Sequence, residues 1–125
     1  EPKKILDLGT FSGYTALSFA LATTDNAIVD TVDKFDTHIL LARKFWKKAK
    51  QDHKVFFHHK EAMCFLKEAK QQKKQYDFIF IDADKKNMNE YFNLSLALLE
   101  DTGTIVVDNV LGFKNNRLPT SKTRF

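Results

Sequence analysis

The stretch Ile5–Thr15, ILDLGTFSGYT, predicts how this chain begins its fold. Its first part, Ile5–Leu8, is a short apolar run of the kind that forms a buried strand. Gly9 and Gly13 follow and mark a loop, after which apolar residues recur with a helical period. The order strand, glycine-containing loop and helix is the opening unit of a parallel α/β sheet.

The same order of elements recurs along the rest of the chain. Further strands are predicted at Ala27–Val32, Val55–His58, Tyr76–Ile81 and Thr104–Val107. Further helices are predicted at Thr37–Lys50, Met63–Lys70 and Met88–Leu99. A turn is predicted at Asp101–Gly103, and a polar loop over residues 110–125. Strands alternating with helices predict an α/β, Rossmann-like, doubly wound parallel sheet with strand order 3-2-1-4-5.

Composition limits the classes of protein to which the chain can belong. Its 125 residues suffice for one domain, residues 1–125, and 43% hydrophobic residues argue against disorder. The net charge of +4 is spread over helices, so nucleic acid is not expected as a partner. No apolar run approaches the roughly 20 residues that span a bilayer, so no membrane contact is expected. Cys64 is the only cysteine, which favours a reducing compartment, and we expect a cytoplasmic protein.

Acidic residues end several of the predicted strands. Asp7 lies in the first strand, Asp33 closes the second, Asp82 the fourth, and Asp108-Asn109 the fifth. Because ligands bind at the carboxyl ends of the strands in such sheets, these residues mark one candidate site. Like charges placed together are unfavourable unless a positive group lies among them. The pattern therefore predicts a cationic cofactor or a metal ion.

The first loop distinguishes between nucleotide cofactors. A dinucleotide fingerprint reads G-x-G-x-x-G, but Phe11 stands at the second glycine, which makes an NAD-dependent oxidoreductase a distant alternative. Gly9 and Gly13 allow close approach of the backbone to a ligand, and the following helix offers its positive end to an anion. Asp33 falls 20 residues after Gly13, where a carboxylate accepts hydrogen bonds from ribose hydroxyls; the alternative is a helix N-terminal acid.

Four motifs in this order resemble a known family. They are DLGTFSGYT (Asp7–Thr15), VDK (Val32–Lys34), YDFIFIDADK (Tyr76–Lys85) and VVDNVL (Val106–Leu111). From Lys3 to about Leu111 the chain is similar to the metal-dependent catechol and caffeoyl-CoA O-methyltransferases and their bacterial relatives, which use S-adenosylmethionine (SAM). The resemblance implies the class I SAM-dependent methyltransferase fold.

The resemblance also implies a metal site and a base. Asp82, Asp108 and Asn109 correspond to the ligands of a divalent cation, and their hard oxygen atoms suit Mg²⁺. Lys85 corresponds to the catalytic general base that takes a proton from the substrate hydroxyl; the alternative is an ordinary solvated lysine. Asp84 is interpreted as a supporting residue or a helix cap.

The cofactor contacts implied by the resemblance lie near three strand ends. The resemblance places Gly9 at the methionine part, Thr15 near its carboxylate, Asp33 at the ribose and Glu61-Ala62 at the adenine. The whole predicted set is Asp7, Gly9, Phe11, Gly13, Tyr14, Thr15, Asp33, Glu61, Ala62 and Asp82. Phe11 and Tyr14 are equally consistent with core positions. Lys60 stands where the family has a glycine, which puts the position of Glu61 in question, and His58 and His59 are interpreted as structural.

The resemblance implies transfer of a methyl group from SAM to a hydroxyl, held by the metal, of a small catechol-like acceptor. Two alternatives remain. One is a catalytically inactive binding or scaffold domain of the same fold. The other is an RNA-modifying methyltransferase, suggested by the lysine-rich helix from Arg43 to Lys50 and by KEAKQQKK (Lys67–Lys74). Relatives in the family are often homodimers, so a homodimer is a further expectation.

Two departures from the family affect these expectations. Gly112 and Phe113 follow VVDNVL where the family has a tryptophan at the substrate mouth, so the acceptor stays open. The family's N-terminal helices and C-terminal strand pair are not found in the sequence. We therefore expect the chain to be a fragment of a longer protein.

Overall fold

The protein, described here from a computed structural model, contains one six-stranded sheet with helices packed on both faces. The structure describes residues 2–82, 85–108 and 121–123. In chain order the elements are β1 (Lys4–Leu8), α1 (Tyr14–Leu21), β2 (Ile28–Asp33), α2 (Ile39–Lys48), β3 (Val55–His59), α3 (Ala62–Gln71), β4 (Tyr76–Ile81), α4 (Met88–Leu98), β5 (Leu99–Val107) and β6 (Ser121–Thr123). A short 3-10 turn, Lys85–Asn87, precedes α4.

The strand order is β3-β2-β1-β4-β5-β6, and the first five strands are parallel. The predicted α/β class and the order 3-2-1-4-5 are therefore confirmed. After β3 the chain crosses back over β2 and β1 to form β4, so β1 and β4 are neighbours at the point where the strand order reverses. In open α/β sheets the crevice at this reversal, outside the carboxyl ends of the strands, is where ligands bind.

The central strands form because both of their faces are buried. On β1, Leu6 packs in a cluster with α3 and α4, while Ile5 packs in a second cluster with α1 and α2. Both side chains are at most 1% exposed. A strand that is covered on both faces needs a continuous apolar run, and this explains why β1 and β4 were recognisable in the sequence.

The C-terminal part differs from the sequence prediction. Asp101–Gly103, predicted to be a turn, lies inside β5, where the register with β4 shifts between Tyr76 and Phe78. The chain stays in the sheet because five steps of β5, from Leu99 to Thr104, face only two of β4, as in an irregular bulge. Helix α2 is two residues shorter at each end than predicted.

Strand β6 was not predicted either. Residues 121–123 of the predicted polar loop pair antiparallel with β5, with Ser121 opposite Val106 and Thr123 opposite Thr104. The backbone of β6 thereby satisfies part of an otherwise unpaired strand edge, which is a physical reason for a short polar segment to join the sheet. Residues 109–120, 124 and 125 of this region lie outside the described residues.

Within the described ranges, no helix has the length and hydropathy required to cross a bilayer.

Candidate functional site

Backbone hydrogen bonds align the ends of the central strands at one edge of the sheet. The N–H of Asp82 donates to the carbonyl of Leu8 at 2.9 Å, and the N–H of Asp108 donates to the carbonyl of Ile81 at 2.9 Å. The N–H of Gly9 donates to the carbonyl of Val32 at 2.8 Å. The structure thus brings the predicted residues that follow β1, β4 and β5 to one edge.

Gly9 lies so close to the backbone of Asp82, at the end of the neighbouring strand β4, that a larger residue would not fit there. Its φ is +109°, in the region that favours glycine. A Cβ atom at Gly9 would lie 2.2 Å from the carbonyl oxygen of Asp82 and 2.8 Å from the ring of Phe11. The sequence prediction explained this glycine by contact with a ligand, whereas the structure gives a reason within the chain.

The carboxylate of Asp33 fastens the loop between β1 and α1. Its Oδ2 accepts a hydrogen bond from the N–H of Phe11 at 2.9 Å, and its Oδ1 accepts one from the N–H of Phe35 at 3.0 Å. Phe11 has φ +48°, so the bond to Asp33 helps to hold an unfavourable backbone conformation. Asp33 is half-buried, and each of its oxygens retains a lone pair for a further donor.

Asp7 lies beneath the loop in a chain of buried hydrogen bonds. Thr31 Oγ1 donates to Asp7 Oδ2 at 2.8 Å, and the hydroxyls of Thr10 and Thr31 are 2.7 Å apart. Asp7 Oδ1 is buried without a hydrogen-bond partner among the described residues. Burial above all, together with the charges of Asp82 and Asp33, raises the pKa of Asp7 to about 7, although the Thr31 hydrogen bond lowers it.

Thr10 and Thr31 were missed by the sequence reasoning, although a signal for Thr31 exists. In the parallel register Asp7 pairs with Thr31, so the two side chains are neighbours on one face of the sheet. A threonine within an apolar strand opposite a buried acid indicates a hydrogen bond once the register is known. The strand order therefore had to be fixed before this pair could be recognised.

Asp82 and Asp108 lie close enough for their charges to interact. Burial and then the Asp108 carboxylate raise the pKa of Asp82 above its ordinary value. Two repelling carboxylates at the ends of neighbouring strands fit the oxygen donor set that a hard divalent cation prefers. Among the described residues, no group of three or more His, Cys, Asp and Glu side chains could hold a metal ion. Asn109, the third predicted ligand, and the side chain of Lys85 lie outside the described part of the chain, as does Asp84.

The N-terminus of α1 is fixed against α2. Gly13 has φ +85°, and a Cβ atom there would lie 2.6 Å from the Cβ of Ala42. The indole N–H of Trp46 donates to the carbonyl of Gly13 at 3.0 Å. Tyr14 begins the helix with its side chain 73% exposed, which excludes the core position that the sequence left open for it, and Thr15 is half-buried.

The segment predicted to bind adenine begins α3. Glu61 is exposed and precedes Ala62, the first residue of that helix. Lys60, which stands in place of the family's glycine, does not have a positive φ, and its N–H donates to the carbonyls of Asp33 and His58. The backbone here does not require glycine, so this departure from the family leaves the local turn unstrained.

The two histidines at the end of β3 have partners within the fold. His58 Nε2 lies 2.9 Å from Asp30 Oδ1, and His59 Nε2 lies 3.0 Å from the carbonyl oxygen of Lys34. Asp30 also accepts a hydrogen bond from the hydroxyl of Tyr76 at 2.7 Å. These contacts agree with the structural interpretation of both histidines.

Comparison with known proteins places the chain among methyltransferases. A sequence profile of the family described as "O-methyltransferase" matches residues 1–118. The "Probable caffeoyl-CoA O-methyltransferase 1" of Dictyostelium discoideum is 41% identical over 111 residues, which cover 87% of this chain and 48% of that protein. The chain thus spans about half the length of the curated relatives it matches.

Two solved structures share the fold. The O-methyltransferase from Bacillus cereus in complex with SAH is similar with a TM-score of 0.81 and 31% identity, covering 89% of this chain and 51% of that one. The O-methyltransferase TomG from Streptomyces achromogenes, involved in tomaymycin synthesis and solved in complex with SAM, has a TM-score of 0.81 and 29% identity. That match covers 88% of this chain and 50% of TomG.

Proposed function

Because the chain belongs to the O-methyltransferase family, we propose that it binds SAM at the carboxyl edge of the sheet. We further propose that it takes part in transferring the methyl group of SAM to a hydroxyl group. The observation that carries the proposal is the edge itself, where the β1–α1 loop is fastened by Asp33 beside Asp82 and Asp108. Relatives with the same fold have been solved with SAM or SAH, which supports this choice of cofactor.

The charges at this edge favour a cationic ligand. The charges of Asp82 and Asp33 act unfavourably on Asp7, whose pKa is raised mainly by burial and further by these two charges. SAM would supply an electrophilic methyl group on a positively charged sulfur. Its positive charge would relieve the repulsion among these carboxylates, whereas a neutral or anionic nucleotide would not.

Asp33 is the proposed ribose ligand. Its two oxygens already orient the backbones of Phe11 and Phe35, so the carboxylate is held in place before a ligand arrives. Ribose hydroxyls would donate to its remaining lone pairs, and the exposed N-terminus of α1 would receive the methionine carboxylate. Glu61 and Ala62 are proposed to contact the adenine.

Asp82, Asp108 and Asn109 are the proposed ligands of a divalent cation. The close carboxylates of Asp82 and Asp108 fit such an ion, which would lower the pKa of an acceptor hydroxyl and so favour its ionised form. Lys85 is proposed to take the proton from that hydroxyl. A small catechol-like molecule, with two neighbouring hydroxyls on an aromatic ring, is the proposed acceptor.

The assignment is tested by replacing Asp108 with alanine in the intact protein. We expect Asp108→Ala to lower magnesium-dependent transfer of radiolabelled methyl groups to a catechol by on the order of 100-fold, while SAM affinity stays nearly unchanged. Asp101→Ala replaces an exposed carboxylate on β5, the strand that precedes Asp108, and this control variant should keep its activity. Undiminished methyl transfer by the Asp108 variant would refute the proposed cation site.

A further inference from the structure

The β1–α1 loop is bonded along its length to the end of β2. The N–H of Thr10 donates to the carbonyl of Val32 at 3.2 Å, and the N–H of Phe11 donates to the carboxylate of Asp33 at 2.9 Å. The carbonyl of Thr10 accepts a hydrogen bond from the N–H of Gly13 at 2.8 Å, immediately before α1 begins. Thr10 therefore connects the end of β2 with the start of α1.

The side chain of Thr10 is buried, unlike those of the two residues that follow it. Thr10 is 3% exposed, whereas Phe11 and Ser12 are exposed. The hydroxyl oxygen of Thr10 lies 2.7 Å from that of Thr31, a residue of β2 that is 0% exposed. Thr10 thus anchors the loop to the sheet through its side chain as well as through its backbone.

The hydrogen bonds beneath the loop run in one direction. The hydroxyl of Thr31 donates to Asp7 Oδ2 at 2.8 Å, and a hydroxyl has only one proton to donate. In the bond between the two threonines, Thr10 must therefore be the donor. The result is a chain of buried bonds from Thr10 to Thr31 to Asp7, which joins the loop to the central strand β1.

The bond between the two threonines sets how close the loop lies to β2. Two oxygen atoms lie 2.7 Å apart only when they share a proton, whereas a contact between carbon and oxygen needs about 3.3 Å or more. A methyl group in place of the Thr10 hydroxyl would therefore be pushed away from Thr31 by more than about half an ångström. The loop, and the start of α1 that is bonded to Thr10, would move with it.

We propose that Thr10 is a positioning residue for SAM. Its hydroxyl, bonded to Thr31, fixes the distance of the β1–α1 loop from β2. This distance places the N-terminus of α1, where the methionine carboxylate of SAM would bind. At 3% exposure Thr10 acts through the loop and does not itself contact the cofactor. The inference rests on the proposed function, because it concerns the same SAM site.

Two substitutions of Thr10 in the intact protein test this role. Thr10→Val replaces the hydroxyl by a methyl group and should weaken SAM binding at least about 10-fold, since a site that is displaced loses its preorganised geometry. Thr10→Ser keeps the hydroxyl and should bind SAM nearly as the unmodified protein does. Calorimetric titration of SAM measures both affinities, and circular dichroism checks that each variant is folded.

Further variants separate positioning from a general loss of stability. Thr10→Ala removes the hydrogen bond without placing a carbon atom against Thr31, so it should also weaken SAM binding, but less than Thr10→Val. Tyr76→Phe removes a hydrogen bond at the start of β4, at the other end of that strand from the SAM site. This variant should lose stability and keep its SAM affinity.

The outcomes distinguish this inference from the proposed function. If the unmodified protein binds SAM, the positioning role is overturned by equal affinity of the Thr10→Val and Thr10→Ala variants and the unmodified protein. It is also overturned if Thr10→Ser binds as weakly as Thr10→Val, or if Tyr76→Phe loses as much affinity. Absence of SAM binding by the folded, unmodified protein would refute the proposed function and the positioning role together.

Discussion

Among the described residues of the strand edge, Asp7 is the one whose ionised form is most strongly disfavoured by its surroundings. It is fully buried, its Oδ1 lacks a hydrogen-bond partner among the described residues, and burial raises its pKa to about 7. An acid whose pKa is higher in the folded than in the unfolded state stabilises the fold at low pH, and that contribution is lost as the pH rises through the folded value. Because of Asp7, the free energy of unfolding therefore decreases as the pH rises from about 4 to about 7.

Asp7→Asn should remove this pH dependence. The neutral amide keeps an acceptor for the Thr31 hydroxyl but cannot ionise. We expect the variant to be more stable than the unmodified chain at pH 8 by up to a few kcal/mol, since each pKa unit corresponds to about 1.4 kcal/mol. Urea unfolding from pH 5 to pH 8 measures the difference, which should shrink steadily towards low pH. A difference that does not change with pH would contradict the account of Asp7.

At Gly9, the addition of a single methyl group should strongly destabilise the fold. Gly9→Ala would place a Cβ atom 2.2 Å from the carbonyl oxygen of Asp82, in a backbone conformation unfavourable to alanine. We expect a loss of about 1 to 3 kcal/mol or more in the free energy of unfolding. Gly103→Ala is the comparison, because its new methyl group would lie no closer than 2.7 Å to Leu99 and 3.1 Å to the carbonyl oxygen of Asp77. Gly103 also lacks a positive φ, so this substitution should cost less. Equal losses in urea unfolding would show that the carbonyl of Asp82 can move away.

At the scale of elements, Asp30 joins three strands across one face of the sheet. It lies on β2 and binds His58 of β3 and Tyr76 of β4. Burial alone would raise the pKa of Asp30, but the hydrogen bonds from His58 and Tyr76 hold it below its ordinary value. Because Tyr76 reaches past β1 to this carboxylate, the three side chains tie the two halves of the parallel sheet together.

Tyr76→Phe should loosen this connection. Loss of a hydrogen bond to a charged, half-buried carboxylate should reduce the free energy of unfolding by about 1.5 to 3 kcal/mol at neutral pH. Tyr14→Phe removes a hydroxyl from a side chain that is 73% exposed and should have little effect. Chemical denaturation of both variants at pH 7 makes the comparison. A negligible effect of Tyr76→Phe would show that the hydrogen bond from Tyr76 to Asp30 does not contribute to stability.

The elements that the sequence predicts best are the strands that are buried on both faces of the sheet. Strands β1 and β4 are apolar on both faces, so their position and the strand order followed from the residues themselves. The continuation of β5 through Asp101–Gly103 was predicted wrongly because Asp, Thr and Gly in succession are turn formers. The pairs with β4 at Leu99 and Thr104, on either side of the segment, keep it in the strand as a bulge. Strand β6 depends entirely on the edge that β5 presents, which its own residues do not encode.

The candidate site was predicted in outline but not in its internal contacts. Strand ends are recognisable in a sequence, so the common position of Asp33, Asp82 and Asp108 followed from the alternation of strands and helices. The bonds of Asp33 to the backbones of Phe11 and Phe35 depend on loop geometry, which spacing does not determine. The roles of Lys85 and Asn109 remain predictions.

At the scale of the whole molecule, charge is divided between two regions. The strand edge gathers carboxylates, whereas helix α2 is basic, and the sum over the chain is +4. The net charge therefore says little about the ligand of either region, because the local sign decides which ions approach.

The central claim is that the strand edge binds SAM through Asp33, and calorimetric titration of SAM into the 125-residue chain tests it most directly. We predict saturable binding at one site with a Kd between about 1 μM and 1 mM, at least about 10-fold weaker for Asp33→Ala and unchanged for Asp36→Ala, a neighbouring exposed acid. Circular dichroism checks that each chain is folded. Absence of saturable binding by the folded chain, or equal affinity of the Asp33 variant, would contradict the claim.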